Sequence, residues 1–290
     1  MKSMSFGIAL AGGGTMGAAH VGVLLALEEA GIYPRSVAGT SAGSFVAGLY
    51  AAGNSAVKLK EIVIRLSKTG PYYMDADLSN LAKAVPKFII NHEFDISGLI
   101  KGNRLEQLLY QLTSGKSMEE INMRTIIPAV DINTGDTIAY TNSLNNVRPL
   151  DSVKWKTDAL ISEAIRASCA IPAIFQPKLI GDMCLVDGSV TDVLPIDLLL
   201  ASGEQLILAV DIAQSYESPK KKNIIDISTS SLSIMSARLK KCHLHGEALL
   251  LKPKIPEEAG LLTFQYMVEC MNAGYEAAQA NLPAIKAIFG

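Results

Sequence analysis

In VAGTSAGSFVAG, residues 37 to 48, one hydroxyl stands among neighbours that have almost no side chains. Gly39 and Gly43 lie two residues to either side of Ser41, and Ala42 follows it. Serine is a weak nucleophile. Chemistry through it needs a base to take its proton and donors to hold the oxyanion that its attack creates. A chance G-x-S-x-G arises on the order of a tenth of a time in a chain this long at ordinary Gly and Ser frequencies, so the setting carries the weight. SVAG before it reads as a short strand, and GSFVAGLYAAG after it reads as a helix closing at Gly53. A serine on a tight strand-to-helix turn is the nucleophile-elbow arrangement. The Ala42 amide, at the helix N-terminus, can donate to a developing oxyanion. The plain alternative is a flexible turn.

A second glycine cluster, GGGTMG, spans residues 12 to 17 and follows the apolar run FGIALAG. It fits the G-x-G-x-x-G dinucleotide fingerprint. That reading also requires an acid at the end of the second strand, about twenty residues on. Here that strand runs into Ala38-Gly39-Thr40-Ser41 and has no acid. The loop from Gly12 to Gly17 therefore reads as bare backbone at a helix N-terminus one strand away from Ser41, with the amides of Gly12, Gly13 and Gly14 able to receive an oxyanion. A simple tight turn is the alternative.

Which group is the base? The chain has four histidines. His20 falls in the first helix and reads as packed, and His92 falls in a helical stretch. His243 and His245 sit in Cys-His-Leu-His after Lys240-Lys241. The order Ser, acid, His would admit either as the base of a triad, but the segment looks helical and basic rather than like a loop after a strand. No second ligand pair at finger-like spacing accompanies them, so no metal is expected. Carboxylates closing apolar runs are better placed: Asp131, Asp187 and Asp211. Asp187 alone is followed by glycine, Gly188, in a tight D-G-S turn. Partial burial would raise its pKa and make it a competent base. Asp131 and Asp211 are expected to cap turns or brace loops.

The elements that must position these groups follow from apolar patterning. The first fifty residues read strand, glycine loop, helix, strand, elbow, helix, which implies a parallel sheet with helices on its faces. From Ser3 to Leu27 there is no charged residue, yet Gly12 to Gly14 break the apolar run too early for a membrane span or a leader. Residues 55 to 124 read as mostly helical, with Asn103 as an N-cap. The part near 71 to 100 is suited to cover an active site or lie on a lipid surface; the simpler account is a packed helix pair. TIIPAVDINTGDTIAYTN reads as two strands joined near Thr134-Gly135, DALISEAIRASCAI as a helix, and CLVDGS, QLILAVDIA and EALLLKP as strands.

Composition sets the outer limits. The chain has 290 residues, 49% hydrophobic and 19% charged, with a net charge of −2. That size supports a sizeable core in one large domain or two small ones. The charge gives no ground for nucleic acid as a partner or for strong attraction to anionic lipid, and the basic run Lys220 to Lys222 reads as a solvated loop. Four cysteines (169, 184, 242 and 270) show no paired spacing, which fits a reducing compartment.

Together GGGTMG, GTSAG and DGS, in that order, resemble the patatin-like phospholipases, as do VDINTGD and RASCAIPAIFQP between them. The similarity runs from about Phe6 to about Asp211. It implies a three-layer α/β/α sandwich with a mostly parallel central sheet, here one domain over 1–290 with the helical insert at about 55–124. It also implies a Ser–Asp dyad of Ser41 and Asp187, oxyanion donors on the glycine loop, and no metal or organic cofactor. The expected activity is hydrolysis of acyl-lipid esters, in the cytoplasm or at a membrane periphery. A non-enzymatic lipid- or nucleotide-binding regulator on the same scaffold is the alternative. Three positions depart from the family pattern. Met16 stands where a cation is usual, Ser189 replaces Gly or Ala, and Asp192 stands where many relatives have Asn, as a second carboxylate that would raise the pKa of Asp187.

Overall fold

In the computed structural model, which describes residues 5–77, 97–213, 223–243 and 246–290, the two glycine-terminated apolar runs become neighbouring parallel strands. These are β1 (Gly7–Leu10) and β2 (Ser36–Gly39). Every residue of both is buried. Strands covered on both faces have no reason to alternate apolar with polar, so they appear in the sequence as continuous apolar runs. The sheet is completed by β3 (Arg124–Asp131), β4 (Thr137–Thr141), β5 (Val153–Lys156), β6 (Lys178–Ile180), β7 (Met183–Asp187), β8 (Ile207–Val210) and β9 (Leu249–Leu251). Its main path runs β5-β4-β3-β2-β1-β8-β9, with β7 paired to β3 and β6 to β7. Pairing is parallel except at β3–β4, β3–β7 and β6–β7.

Nine helices among the described residues flank this sheet. They are α1 (Ala18–Glu29), α2 (Ala42–Ala51), α3 (Ala56–Thr69), α4 (Asn103–Leu112), α5 (Ile161–Ser168), α6 (Ile196–Ala201), α7 (Ile224–His243), α8 (Met267–Ala280) and α9 (Leu282–Phe289). The chain steps one way along the sheet through β1, β2 and β3, and the other way from β8 to β9. Right-handed crossovers then put α1 and α2 on one face and α7 on the other. The result is the expected α/β sandwich. Strand order reverses at β1, so the loops leaving β1 and β2 border the crevice where such sheets bind ligands.

Helix α1 is buried from Ala18 to Leu27. A helix apolar all round belongs inside, and α8 supplies its cover. The two backbones nearly touch. A Cβ on Gly22 would lie 1.9 Å from the Met271 carbonyl oxygen, and one on Gly274 would lie 1.9 Å from that of Ala19. The largest core cluster accordingly draws residues from Phe6 to Phe289.

Several expectations need correction. Gly102, not Asn103, is the N-cap of α4, with φ +78. A left-handed residue there suits glycine, and the capping is done by Asp75, whose carboxylate accepts from the Gly102 amide at 2.8 Å and the Asn103 amide at 3.1 Å. Strands β5 and β6 were not anticipated, because VKWK and KLI are short and carry lysines on partly exposed edges. His92, His245, Lys220 to Lys222, most of the 71–100 segment and the side chain of His243 lie outside the described residues.

Candidate active site

One edge of β3 serves two strands. Its first part pairs with β2, Ala38 opposite Ile126. Its last part pairs antiparallel with β7, Asp187 opposite Ala129. β2 and β7 therefore run toward each other along the same edge, and their carboxyl ends meet beside Pro128. The Thr125 amide points toward the β4 side, to the Asn142 side chain, so alternation turns the Pro128 nitrogen to the β2/β7 side. A residue with no N–H suits the gap between two ladders. Gly188 fits here because a Cβ would lie 2.4 Å from the Pro128 carbonyl oxygen. This head-on meeting brings together Ser41, just past β2, and Asp187, the last residue of β7.

Ser41 is the N-cap of α2, at φ 52 and ψ −120. That is a strained backbone for a residue with a Cβ, and the surroundings hold it. The Ser41 amide donates to Ser168 Oγ at 2.9 Å, and Ser44 Oγ donates to the Ser41 carbonyl at 2.6 Å. The flanking glycines permit close backbone approach. A Cβ on Gly39 would lie 2.2 Å from the Gly43 oxygen, and one on Gly43 would lie 2.1 Å from the Leu10 oxygen. Gly17 presses on the other side of the elbow, where a Cβ would meet that of Ala42 at 2.5 Å.

Asp187 is 3% exposed. Burial pushes its pKa up to about 6, against the restraining influence of the nearby Ser41 hydroxyl and the Ser189 donors. Burial is the largest cause of the elevation. Oδ1 accepts from the Ser189 amide at 2.8 Å. The Ser41 hydroxyl is near enough to lower the pKa but forms no well-aligned bond, and Oδ2 is buried without a partner among the described residues. The Asp187 amide donates to the Ala170 carbonyl at 3.0 Å. The turn Ser168-Cys169-Ala170 thus grips both Ser41 and Asp187, a role the sequence did not announce: a serine at a helix end has many uses.

The glycine loop needs one correction. The Gly12 amide donates to the Val193 carbonyl at 2.9 Å, so it has no proton to offer an oxyanion. Gly12 is bare for another reason: a Cβ there would lie 2.5 Å from Ser189 Oγ and 3.3 Å from Ser41 Cβ. Gly13 and Gly14 precede and open a 3-10 turn, Gly14–Gly17, and amides at such a start have no partner within it. Ala42 likewise opens α2. Met16, within this loop, is buried.

The other candidates have structural employment. Asp131 accepts from the amides of Asn133 and Cys184. Asp211 accepts from the Ala213 amide and pairs with Lys240 of α7, whose Nζ lies 2.7 Å from both oxygens. His20 is fully buried, with Nε2 2.8 Å from the Ala11 carbonyl oxygen. Burial lowers its pKa to about 4, which keeps the ring neutral, so that Nε2–H donates.

Ser41 and Ala42 form part of the wall of a cavity with about 900 Å³ of empty space, its open mouth included. The rest of the lining is almost wholly apolar, contributed by α1, α2, α3, α4 and the segment 261–267, with Thr15, Tyr73 and Cys169 as the other polar side chains. The lining suits a hydrocarbon.

The family model for patatin-like phospholipase matches residues 8–200. Among curated proteins, lysophospholipase NTE1 of Debaryomyces hansenii is 26% identical over 73% of this chain and 12% of its own length. Human patatin-like phospholipase domain-containing protein 6 is 25% identical over 91% of this chain and 17% of its own. An uncharacterized NTE family protein of Mycobacterium bovis is 24% identical over 97% of this chain and 47% of its own. The chain thus spans less than half the length of these relatives. Among solved structures, VipD from Legionella pneumophila superposes with a TM-score of 0.52 at 14% identity, over 97% of this chain and 67% of that one, a likeness of fold.

Proposed function

Because the chain belongs to the patatin-like phospholipase family, we propose that it is a serine acyl hydrolase that cleaves carboxylic esters of phospholipids or related acyl lipids through a Ser41–Asp187 dyad. The observation that carries this reading is the meeting of a strained serine and a buried carboxylate where β2 and β7 abut, at the wall of an apolar cavity. Ser41 Oγ attacks the ester carbonyl carbon as its proton passes to Asp187. The oxyanion takes the amides of Gly13, Gly14 and Ala42. The intermediate collapses, and the alcohol leaves with the proton from Asp187. Water then attacks the acyl-enzyme, Asp187 accepts its proton, and collapse releases the acid as Ser41 regains its hydrogen. His20, the one histidine whose side chain is described, is bonded to backbone and plays no part in these steps.

In this proposal residues 1–290 act as one hydrolase domain, in keeping with the continuous core from Phe6 to Phe289. Cys169, Cys184 and Cys270 are free, as a reducing cytoplasm would keep them. No helix among the described residues is long and apolar enough to cross a membrane; in this proposal lipid is met at the membrane periphery. Ser41→Ala should lower ester turnover by about six orders of magnitude and abolish labelling by a fluorophosphonate. Wild-type turnover in that variant would sink the scheme. A wild-type protein that takes no label would favour a binding regulator. Replacing His243 and His245 together with Ala should leave turnover near wild type; its collapse would instead establish a triad.

A further inference from the structure

We propose that residues 260–267, beyond the span matched by the family model, form the wall that selects acyl-chain length. This rests on the ester-hydrolase reading above. Leu261, Leu262, Phe264 and Met267 line the same cavity as Ser41. The segment is also fastened to the glycine loop. The Thr15 amide donates to the Leu261 carbonyl at 3.0 Å, Thr15 Oγ1 donates to the Gly260 carbonyl at 2.7 Å, and the Gly260 amide donates to Thr263 Oγ1 at 2.7 Å. Contact is close enough that a Cβ on Gly14, at φ +60, would lie 2.3 Å from the Leu261 oxygen. The wall is therefore held at a fixed distance from the oxyanion donors, as a ruler must be.

One ring joins the wall to the turn that follows α3. Phe264 covers Gly70, where a Cβ would fall on the ring edge at 2.0 Å. Gly70 opens the 3-10 turn Gly70–Tyr73 that follows α3, so Phe264 seals the seam between α3 and the C-terminal segment. None of the four lining side chains can ionise. A wall of this kind recognises methylenes rather than a head group, and each methylene it buries strengthens binding about fourfold.

The test is the ratio of kcat/KM for a twelve-carbon over a four-carbon p-nitrophenyl ester. Phe264→Ala opens the seam and should raise this ratio about tenfold. Leu261→Trp fills the cavity while keeping the backbone bond to Thr15, and should lower it about tenfold. If Phe264→Ala melts below the assay temperature, Phe264→Leu should move the ratio the same way by less. Ratios within twofold of wild type in both variants, or moved the same way by both, overturn the inference and leave the proposed function standing. A wild-type protein that cleaves neither ester any faster than Ser41→Ala overturns the proposed function and this inference with it.

Discussion

Asp187 is held at a pKa of about 6 chiefly by burial, with one oxygen bonded to the Ser189 amide and the other unpartnered. A carboxylate at its ordinary pKa would be a poor acceptor for a serine proton; raising the pKa makes the transfer less uphill, while the group remains mostly ionised at neutral pH. The base must be unprotonated to act, so kcat/KM should fall tenfold per pH unit below about 6 and level off above it. An acid limb displaced to pH 7 or higher would point to an imidazole instead. The second prediction concerns Ser168, whose hydroxyl accepts from the Ser41 amide. Ser168→Thr and Ser168→Val add equal bulk and differ in the hydroxyl. Ser168→Val should lose about 10²-fold in kcat relative to Ser168→Thr with little change in KM, because small displacements of a nucleophile are that costly. Equal kcat values would show that the bond does not position Ser41.

Elements explain which parts of this site were legible. The glycine loop, the elbow and the D-G-S turn were readable because each is a local solution to a local problem: backbone too crowded for a Cβ, or a strand that must end in a turn. β1, β2, β7 and β8 were readable as continuous apolar runs. That β2 and β7 share one edge of β3 was not, since register between distant strands leaves no local mark. Nor was the grip of Ser168 and Ala170, or the seating of the C-terminal segment on the glycine loop. Motif spacing also overreached at Gly12, whose amide is spent on Val193. The α1–α8 contact shows the same limit. Gly22 and Gly274 look like indifferent small residues until their helices are placed together. Gly274→Ala forces a methyl to within 1.9 Å of backbone that cannot step aside. It should destabilise the protein by about 3 kcal/mol or more, read as a lowered urea midpoint. A midpoint unchanged from wild type would mean that α8 can slide along α1.

At the scale of the whole molecule, two buried titratable groups should oppose each other in stability. Asp187 has its folded pKa raised to about 6, mainly by burial. The folded state then holds its proton more tightly than the unfolded chain does. Its contribution is fully present below about pH 4 and is lost as pH rises to 6. His20 has its folded pKa lowered to about 4, mainly by burial, against the Ala11 hydrogen bond and the charge of Asp211. Its contribution is present above about pH 6.5 and is lost as pH falls through 4. At roughly 1.4 kcal/mol per pH unit, each amounts to about 3 kcal/mol, over nearly the same pH interval and with opposite sign. The wild-type protein should therefore show little net dependence from this pair between pH 4 and 6.5. Asp187→Asn unmasks His20, so its unfolding free energy should rise across that interval by about 3 kcal/mol relative to wild type. His20→Gln unmasks Asp187 and should fall by a similar amount. Every other carboxylate titrates alike in all three proteins, so the differences isolate the pair. Urea titrations at pH 4, 5, 6 and 7 read both slopes directly. Parallel curves for the three proteins would mean that neither group is as dry as its burial implies. Asp187 would then sit at an ordinary pKa, and the acid limb of activity would have to move down with it.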